Sequence, residues 1–260
     1  MKSYGLFTAT KVAGAATRIN FLIEALPRTI RASGGIGLRV RLKIVWPQGR
    51  VGSSPTSPMN FWTMSYFRKP KINNDSKLRS YVIGLALGDG NLSNPNGRAI
   101  RLRITCDKTY PLLIEHIKES LRKLLPENKI SSIDHKSYTN VSCYSNHWPS
   151  LLGWCAEKGS KYKQAVVVPP WIKKDRRYIV HCLRGLFQTD GSFYLDRGYL
   201  MTNFVSYIPT LANDVFQLIK FLGYEPSMQT RKVESGKIKH TIRISKNTKE
   251  FIKEIGLWKK

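Results

Sequence analysis

The sequence predicts an α/β protein of the α+β type, made of two tandem halves with the same order of elements. The chain has 260 residues, 42% of them hydrophobic, which is enough for a sizeable core. From Asp75 onward, segments with helical spacing of apolar residues alternate with segments that alternate polar and apolar positions. A seven-residue pattern, G-L-x-x-x-D-G, occurs twice at corresponding places. Each half therefore has the predicted order αββαββα.

The first half is assigned to residues 76–168. Asp75 offers an N-cap for a helix that ends at 88–90. A strand with alternating basic and apolar residues follows at 101–105. The remaining elements predicted in this half are a helix at 110–125, two short strands within 129–145 and a helix at 148–155.

The second half is assigned to residues 169–260 and repeats this order. Prolines within 166–170 mark the joint between the halves. The elements predicted after the joint are a helix at 176–190, a strand at 199–206, a helix at 209–222, strands at 228–233 and 239–244, and a helix from Lys246.

Residues 1–75 precede the repeat and lack a clear period. Residues 1–58 carry nine Lys or Arg and one acid, and glycine, serine and proline interrupt 49–58. We expect an N-terminal extension that is disordered or results from a mis-assigned start. Two alternatives stay open: a mitochondrial transit peptide, and a basic arm that follows phosphates.

The charge balance indicates a polyanionic partner. Lys and Arg number 43 against 17 Asp and Glu, a formal net charge of +26. Such an excess favours nucleic acid first and an anionic membrane surface second. No apolar run approaches the ~18–20 residues that span a bilayer. The four cysteines form no C-x-x-C pair, so we expect an intracellular protein of the cytoplasm, nucleoid or organelle matrix.

The repeated pattern places two acids, Asp89 and Asp190, 101 residues apart, each at the end of a predicted apolar helix. One such acid before a glycine is an ordinary helix end, but two copies at equivalent places favour a function. If the helices pack at Gly84 and Gly185, the two carboxylates meet at the negative helix ends. A divalent cation such as Mg²⁺ compensates that repulsion. In a basic protein, a pair of carboxylates that binds a divalent cation indicates phosphodiester hydrolysis.

At residues 82–90 and 183–191 the chain resembles the LAGLIDADG family of homing endonucleases, in its single-chain, two-motif form. The resemblance implies a pseudo-twofold monomer whose motif helices form the interface. Each half would place a saddle-shaped antiparallel sheet in the major groove of a long pseudo-palindromic target. It also implies site-specific cleavage of double-stranded DNA with two or more Mg²⁺ ions, in intron homing, with intron RNA as a further partner and no membrane.

The same resemblance assigns the catalytic centre. Asp89 and Asp190 fall on the catalytic, metal-binding acids, and Gly88 and Thr189 precede them as further metal ligands. The second motif departs from the family pattern at Arg184 and Gln188. The family also has a basic residue near the metals, late in each half, and Arg243 with an apparent counterpart at Cys143 is the pair considered.

The alternating strands supply the candidate DNA contacts. In each half, one strand face carries basic residues and hydroxyls opposite the apolar set, as expected for contacts to phosphates and guanine edges. The candidate DNA-binding residues are Arg101, Arg103, Thr105, Lys232, Lys237, Lys239, Thr241 and Arg243.

The expected function is that of a site-specific DNA endonuclease. The alternative is an RNA-splicing maturase or a DNA-binding protein on the same scaffold without cleavage. Retention of both Asp89 and Asp190 favours cleavage, because a protein that only binds has no need for carboxylates at that helix junction.

Overall fold

A computed structural model of the protein describes residues 71–259. The expectations for residues 1–70 and for Lys260 lie outside this range. Within it, residues 71–75 lead into the first helix, and the side chain of Asp75 accepts hydrogen bonds from the backbone nitrogens of Lys77 and Leu78. Asp75 is thus the N-cap of that helix.

Six α-helices and eight strands make up the described residues. The helices are α1 Ser76–Asp89, α2 Pro111–Leu124, α3 Trp148–Leu152, α4 Arg176–Thr189, α5 Pro209–Phe221 and α6 Thr248–Ile255. The strands are β1 Gly90–Ser93, β2 Arg101–Asp107, β3 Ile130–Asp134, β4 Tyr138–Tyr144, β5 Gly191–Asp196, β6 Tyr199–Ser206, β7 Ser227–Lys232 and β8 Ile238–Ile244. A short 3₁₀ turn, Ile172–Lys174, leads into α4.

The strands form two four-stranded sheets with the same topology. Their orders are β1-β2-β4-β3 and β5-β6-β8-β7, and every neighbouring pair is antiparallel. One face of each sheet packs into the core, as the alternation of buried residues along β2 shows. The predicted fold class of α+β halves with antiparallel sheets is confirmed.

The core is centred on the two motif helices. In α1 every residue from Ser80 to Leu87 is buried, and α4 packs along it. The largest fully buried side chains around them include Trp148, Phe187 and Phe204. A helix that is apolar on all sides needs partners on all sides, and here the second motif helix is one of them.

Two elements are shorter than the sequence predicts. The helix expected at 148–155 ends at Leu152, because Gly153 adopts a left-handed conformation with φ 83°. The last helix begins at Thr248 and not at Lys246, since Asn247 before it has a positive φ of 53°. No helix within the described range is long and apolar enough to cross a membrane.

Candidate active site and nucleic-acid face

The two motif helices touch at Gly84 of α1 and Gly185 of α4, where neither position has room for a side chain. A Cβ on Gly185 would lie 2.5 Å from the carbonyl oxygen of Tyr81 and 2.7 Å from the backbone nitrogen of Leu85. A Cβ on Gly84 would overlap the carbonyl oxygen of Cys182. The helices therefore meet backbone to backbone, and their C-terminal ends lie side by side.

The two motif aspartates stand at those ends. Asp89 is the last residue of α1, and Asp190 is the C-cap of α4. Oδ2 of Asp190 lies 3.3 Å from the point that a Cβ on Gly88 would occupy, so this carboxylate faces the end of the other helix. The residues that follow, Gly90 and Gly191, begin the first strand of each sheet. Both acids thus sit where the two sheets start.

Each motif helix ends against a lysine ammonium. The oxygens that accept hydrogen bonds from Nζ of Lys161 are those of Ala86 at 3.2 Å, Leu87 at 2.7 Å and Gly88. The oxygens that accept from Nζ of Lys259 are those of Thr189 at 3.3 Å and Gly191 at 2.6 Å. These ammonium groups donate to carbonyls at and just beyond the ends of the two helices, of which Ala86 also accepts from the backbone nitrogen of Gly90, and they offset the negative helix ends.

The pKa values of these four charged groups are shifted by their surroundings. Desolvation raises the pKa of Asp89, although this residue remains exposed to solvent, and Lys161 and Lys259 oppose the shift. Burial and repulsion from Asp89 raise the pKa of Asp190 to about 7. Burial lowers the pKa of Lys161 to about 8 and also lowers that of Lys259, while both aspartates oppose it. Acids and lysines therefore form one coupled cluster.

Three of the candidate DNA-binding residues share the exposed face of the first sheet. Arg101, Arg103 and Thr105 alternate along β2 with buried Leu102 and Ile104. Nε of Arg101 donates to the Ser93 hydroxyl at 3.1 Å, and the Thr105 hydroxyl donates to Oδ1 of Asn140 at 2.8 Å. Both bonds cross between strands and orient polar groups on this face.

The second sheet brings together only part of the predicted set. Lys239, Thr241 and Arg243 alternate with buried Ile242 and Ile244 on β8.

Strand register places Lys232 elsewhere. Met228 pairs with buried Ile242, so Lys232, four residues on, falls on the same side of β7 as Met228, although at the end of the strand Lys232 is itself exposed. Its neighbour Arg231, paired with Lys239, lies on the outer face instead. Lys237 precedes β8, and its ammonium lies 5.7 Å from the centre of the Tyr162 ring.

Comparison with known proteins shows which of them this chain is similar to. Residues 177–256 match a family described as the LAGLIDADG-like domain. The resemblance to the LAGLIDADG family is confirmed. Over 186 residues the chain is also 30% identical to a DNA polymerase of Thermococcus sp. (strain GE8). That match covers 67% of this chain but spans only 10% of the polymerase.

Solved structures share the LAGLIDADG fold. A structure of I-DmoI in complex with DNA and Mn superposes with a TM-score of 0.54 at 18% identity, over 70% of this chain and 97% of that one. A variant of I-DmoI in complex with its target DNA in the presence of Mg gives a TM-score of 0.53 at 17% identity, over 69% and 96% of the two chains. I-DmoI is a homing endonuclease.

The LAGLIDADG site offers donors that suit a hard divalent cation. Carboxylates, backbone carbonyls and water are the ligands that Mg²⁺ takes in proteins, and the helix ends supply Asp89, Asp190 and the carbonyls of Gly88 and Thr189. The described residues contain no group of three or more His, Cys, Asp or Glu that could hold a metal. The two acids with backbone oxygens and water are therefore the set that fits, and a pocket lined by Gly88, Lys161 and Asp190 leaves space beside the Asp190 carboxylate.

Lys161 and Lys259 were missed by the sequence reasoning, which considered Arg243 with Cys143. Strand register gives a different counterpart. Ile104 and Phe204 occupy equivalent places in the two sheets, and they pair with Val141 and Ile242. The next residue on each strand is Ser142 and Arg243, so Ser142 is the counterpart of Arg243. A signal for the lysines was present. They stand 72 and 69 residues after Asp89 and Asp190, so the two lysines recur 98 residues apart, close to the 101 residues that separate the motif acids.

We expect the metal-free protein to lose stability as the pH rises from about 4 to 7. The pKa of Asp190 is raised from its ordinary value of 3.8 to about 7 in the folded protein. The folded state therefore holds this proton more tightly than the unfolded chain, and the stability gained at low pH is lost as the pH rises through the folded pKa. Thermal unfolding in EDTA at several pH values measures the slope. Asp190→Asn should flatten it, and an unchanged slope in that variant would assign it to other groups.

Proposed function

We propose that the protein is a site-specific endonuclease that hydrolyses phosphodiester bonds of double-stranded DNA with a divalent metal ion, as homing endonucleases do. The observation that carries this proposal is the meeting of Asp89 and Asp190 at the ends of the LAGLIDADG helices. Both acids lie where the two sheets begin, so a duplex lying along the exposed sheet faces would pass over them.

The cluster is suited to bind metal beside a phosphodiester. Asp89 and Asp190 would hold the ions through their carboxylates, with the carbonyls of Gly88 and Thr189 as further donors. Each carbonyl oxygen has two lone pairs, so a lysine on one of them leaves a second for a cation. A divalent ion bound here supplies a Lewis acid that favours attack by water and stabilises the leaving oxygen.

The lysines complete the arrangement. Lys161 and Lys259 fix the ends of the two helices and add positive charge next to the carboxylates. A phosphate that approaches the acids therefore meets two ammonium groups as well, which reduces the repulsion between carboxylate and phosphate. Burial lowers the pKa of Lys161 to about 8, which makes proton transfer by this lysine accessible near neutral pH.

Charge and relatives support DNA as the substrate. The formal net charge is +26, and I-DmoI was crystallised in complex with DNA and Mn, and as a variant with its target DNA in the presence of Mg. We propose that this chain acts as a monomer on a long pseudo-palindromic target, with Mg²⁺ as its metal. Its place of action would be where such DNA lies, in the cytoplasm, nucleoid or organelle matrix. Intron homing and binding of intron RNA are further parts of this proposal.

The test uses the full chain and a linear duplex that carries the genomic locus with this gene and its surrounding element removed. A single double-strand break near the former insertion point in Mg²⁺, absent in EDTA, would support the endonuclease. Tight binding of the same duplex without a break would contradict it and favour the alternative, a maturase or a DNA-binding protein. Binding to the transcript of the intact element then separates those two.

A further inference from the structure

Register aligns one row of residues across the outward face of each sheet, the face opposite the core, and we call this row the inner rung. It lies one residue pair beyond the pairs Gly90 with Ile104 and Gly191 with Phe204, so the two rungs occupy equivalent places next to the motif acids. In the order of the strands, the first rung is Asn91, Arg103, Ser142 and Ser131. The second rung is Ser192, Asn203, Arg243 and Ser227.

The single arginine of each rung sits on a different strand. Arg103 is on β2 and faces Ser142 of β4, whereas Arg243 is on β8 and faces Asn203 of β6. Each rung therefore has one guanidinium, but it stands on the second strand of the first sheet and on the third strand of the second sheet. In both arginines the Nε atom is buried and has no hydrogen-bond partner in the described part of the chain, as is also true of Oδ1 of Asn203. Buried donors without partners are unfavourable unless a ligand satisfies them.

The two arginines also differ in what holds them. Nη2 of Arg243 donates to Oδ2 of Asp196 at 2.7 Å. No carboxylate within residues 71–259 is at ion-pair distance from Arg103. Asp196 ends β5, half-exposed beside the basic outer face. A carboxylate there repels phosphates, so its presence is better explained by what it does to the arginine than by affinity for DNA.

We propose that Arg103 and Arg243 each contact a guanine, at positions that are not related by the pseudo-twofold axis, and that Asp196 is the positioning residue for Arg243. This inference rests on the proposed DNA substrate. An arginine with a fixed guanidinium matches the O6 and N7 acceptors of guanine in the major groove. Neighbouring strands lie about 4.8 Å apart, more than the ~3.4 Å between successive base pairs. Moving the arginine by one strand therefore changes the base it reaches.

Asp196 and Arg243 act as a unit in this arrangement. The carboxylate holds one nitrogen of the fork and restricts the rotamers of a long side chain, while the other donors stay free for a base. Within residues 71–259, Arg103 has no carboxylate partner of this kind. The second half-site should therefore depend on Asp196 for discrimination at one base pair, with no equivalent acid for the first.

The experiment selects bound sequences from a random 24-base-pair duplex library with the full chain in EDTA, so that cleavage plays no part. The wild type should enrich one guanine in each half-site at places that are not mirror-related. The double variant Asn203→Arg with Arg243→Ser gives the second rung the arrangement of the first. With this double variant, the guanine enriched in the second half-site should move to the position that mirrors the guanine of the first half-site. Mirror-related guanines in the wild type, no base preference, or no movement in the double variant would each overturn the proposal.

Asp196→Asn tests the positioning role with the same selection. Preference for the guanine assigned to Arg243 should fall roughly five- to hundredfold, the range expected when one bidentate contact is lost, with other positions unchanged. Asp196→Glu should restore part of it. Arg122→Ala is the matched control, because this arginine pairs with Glu115 on α2 and should alter no base preference. An unchanged preference in Asp196→Asn would assign the ion pair a structural role. A protein that selects as described but never cuts DNA would contradict only the proposed endonuclease activity.

Discussion

Asp89→Asn and Asp190→Asn should each abolish double-strand cleavage while DNA binding is retained. Changes that only orient a metal ligand already lower activity or metal affinity about 10- to 100-fold, so loss of a ligand itself should exceed about a hundredfold. Asparagine preserves the shape but removes the charge that binds the cation. Because a negative charge near the phosphates is lost, affinity for the duplex in EDTA should stay the same or increase. Cleavage in Mg²⁺ and gel-shift titration in EDTA measure the two effects separately.

The matched control is Asp175→Asn at the N-terminal end of α4, the helix that Asp190 caps at its C-terminal end. Asp175 caps α4 by accepting from the backbone nitrogen of Arg177, and asparagine is an equally good N-cap. This variant makes the same chemical change in the same helix at a distance from the cluster, so its cleavage should match the wild type. Cleavage that survives in Asp89→Asn and in Asp190→Asn would remove both acids from the metal site.

The repeat made the fold predictable from sequence. Periodicity and the recurrence of G-L-x-x-x-D-G at 101 residues placed the motif helices and the strands β2 and β6, but not β1 and β5, which begin directly after the motifs. The contact at Gly84 and Gly185 was predictable because a glycine repeated at the same place within two apolar helix segments has few other uses. The C-terminal limit of α3 was not predictable from sequence, because a short helix that ends before Gly153 has the same apolar pattern as a longer helix.

The lysines of the cluster could not be placed from local pattern, because they act through distant contacts. Lys161 lies in the loop after α3, near the end of the first half, and Lys259 lies near the end of the chain, both outside regular elements. Lys232 shows a different limit. Basic residues on consecutive positions of a strand point to opposite faces, and only the register with β8 shows that Arg231 shares the outer one.

The departures of the second motif from the family pattern have structural reasons. Nε of Arg184 donates to the carbonyl oxygen of Ile255 at 2.6 Å and so caps the end of α6. Gln188 accepts from the Tyr81 hydroxyl at 2.7 Å and donates to the carbonyl oxygen of Trp258 at 3.1 Å. Both side chains tie the second motif helix to its surroundings. Neither departure removes a donor from the proposed metal site.

Gly185→Ala should destabilise the protein by about 3 kcal/mol, the upper part of the range for overpacking in a core. The added Cβ would meet the carbonyl oxygen of Tyr81 at 2.5 Å and the nitrogen of Leu85 at 2.7 Å. Backbone atoms inside a helix cannot turn aside as a side chain does, so the two helices must separate. Urea unfolding monitored by circular dichroism gives the free energy of unfolding.

Gly198→Ala is the control that separates this clash from the general effect of replacing glycine. A Cβ on Gly198 would meet nothing within 4 Å, but φ is +84°, so alanine there should cost about 1 kcal/mol from backbone strain alone. A larger loss in Gly185→Ala than in Gly198→Ala would attribute the difference to the helix contact. Because the same contact sets the distance between Asp89 and Asp190, the Gly185→Ala protein that remains folded should also cleave more slowly. Equal losses of stability in the two variants would mean that the helices move apart freely, and that their contact does not fix the acids.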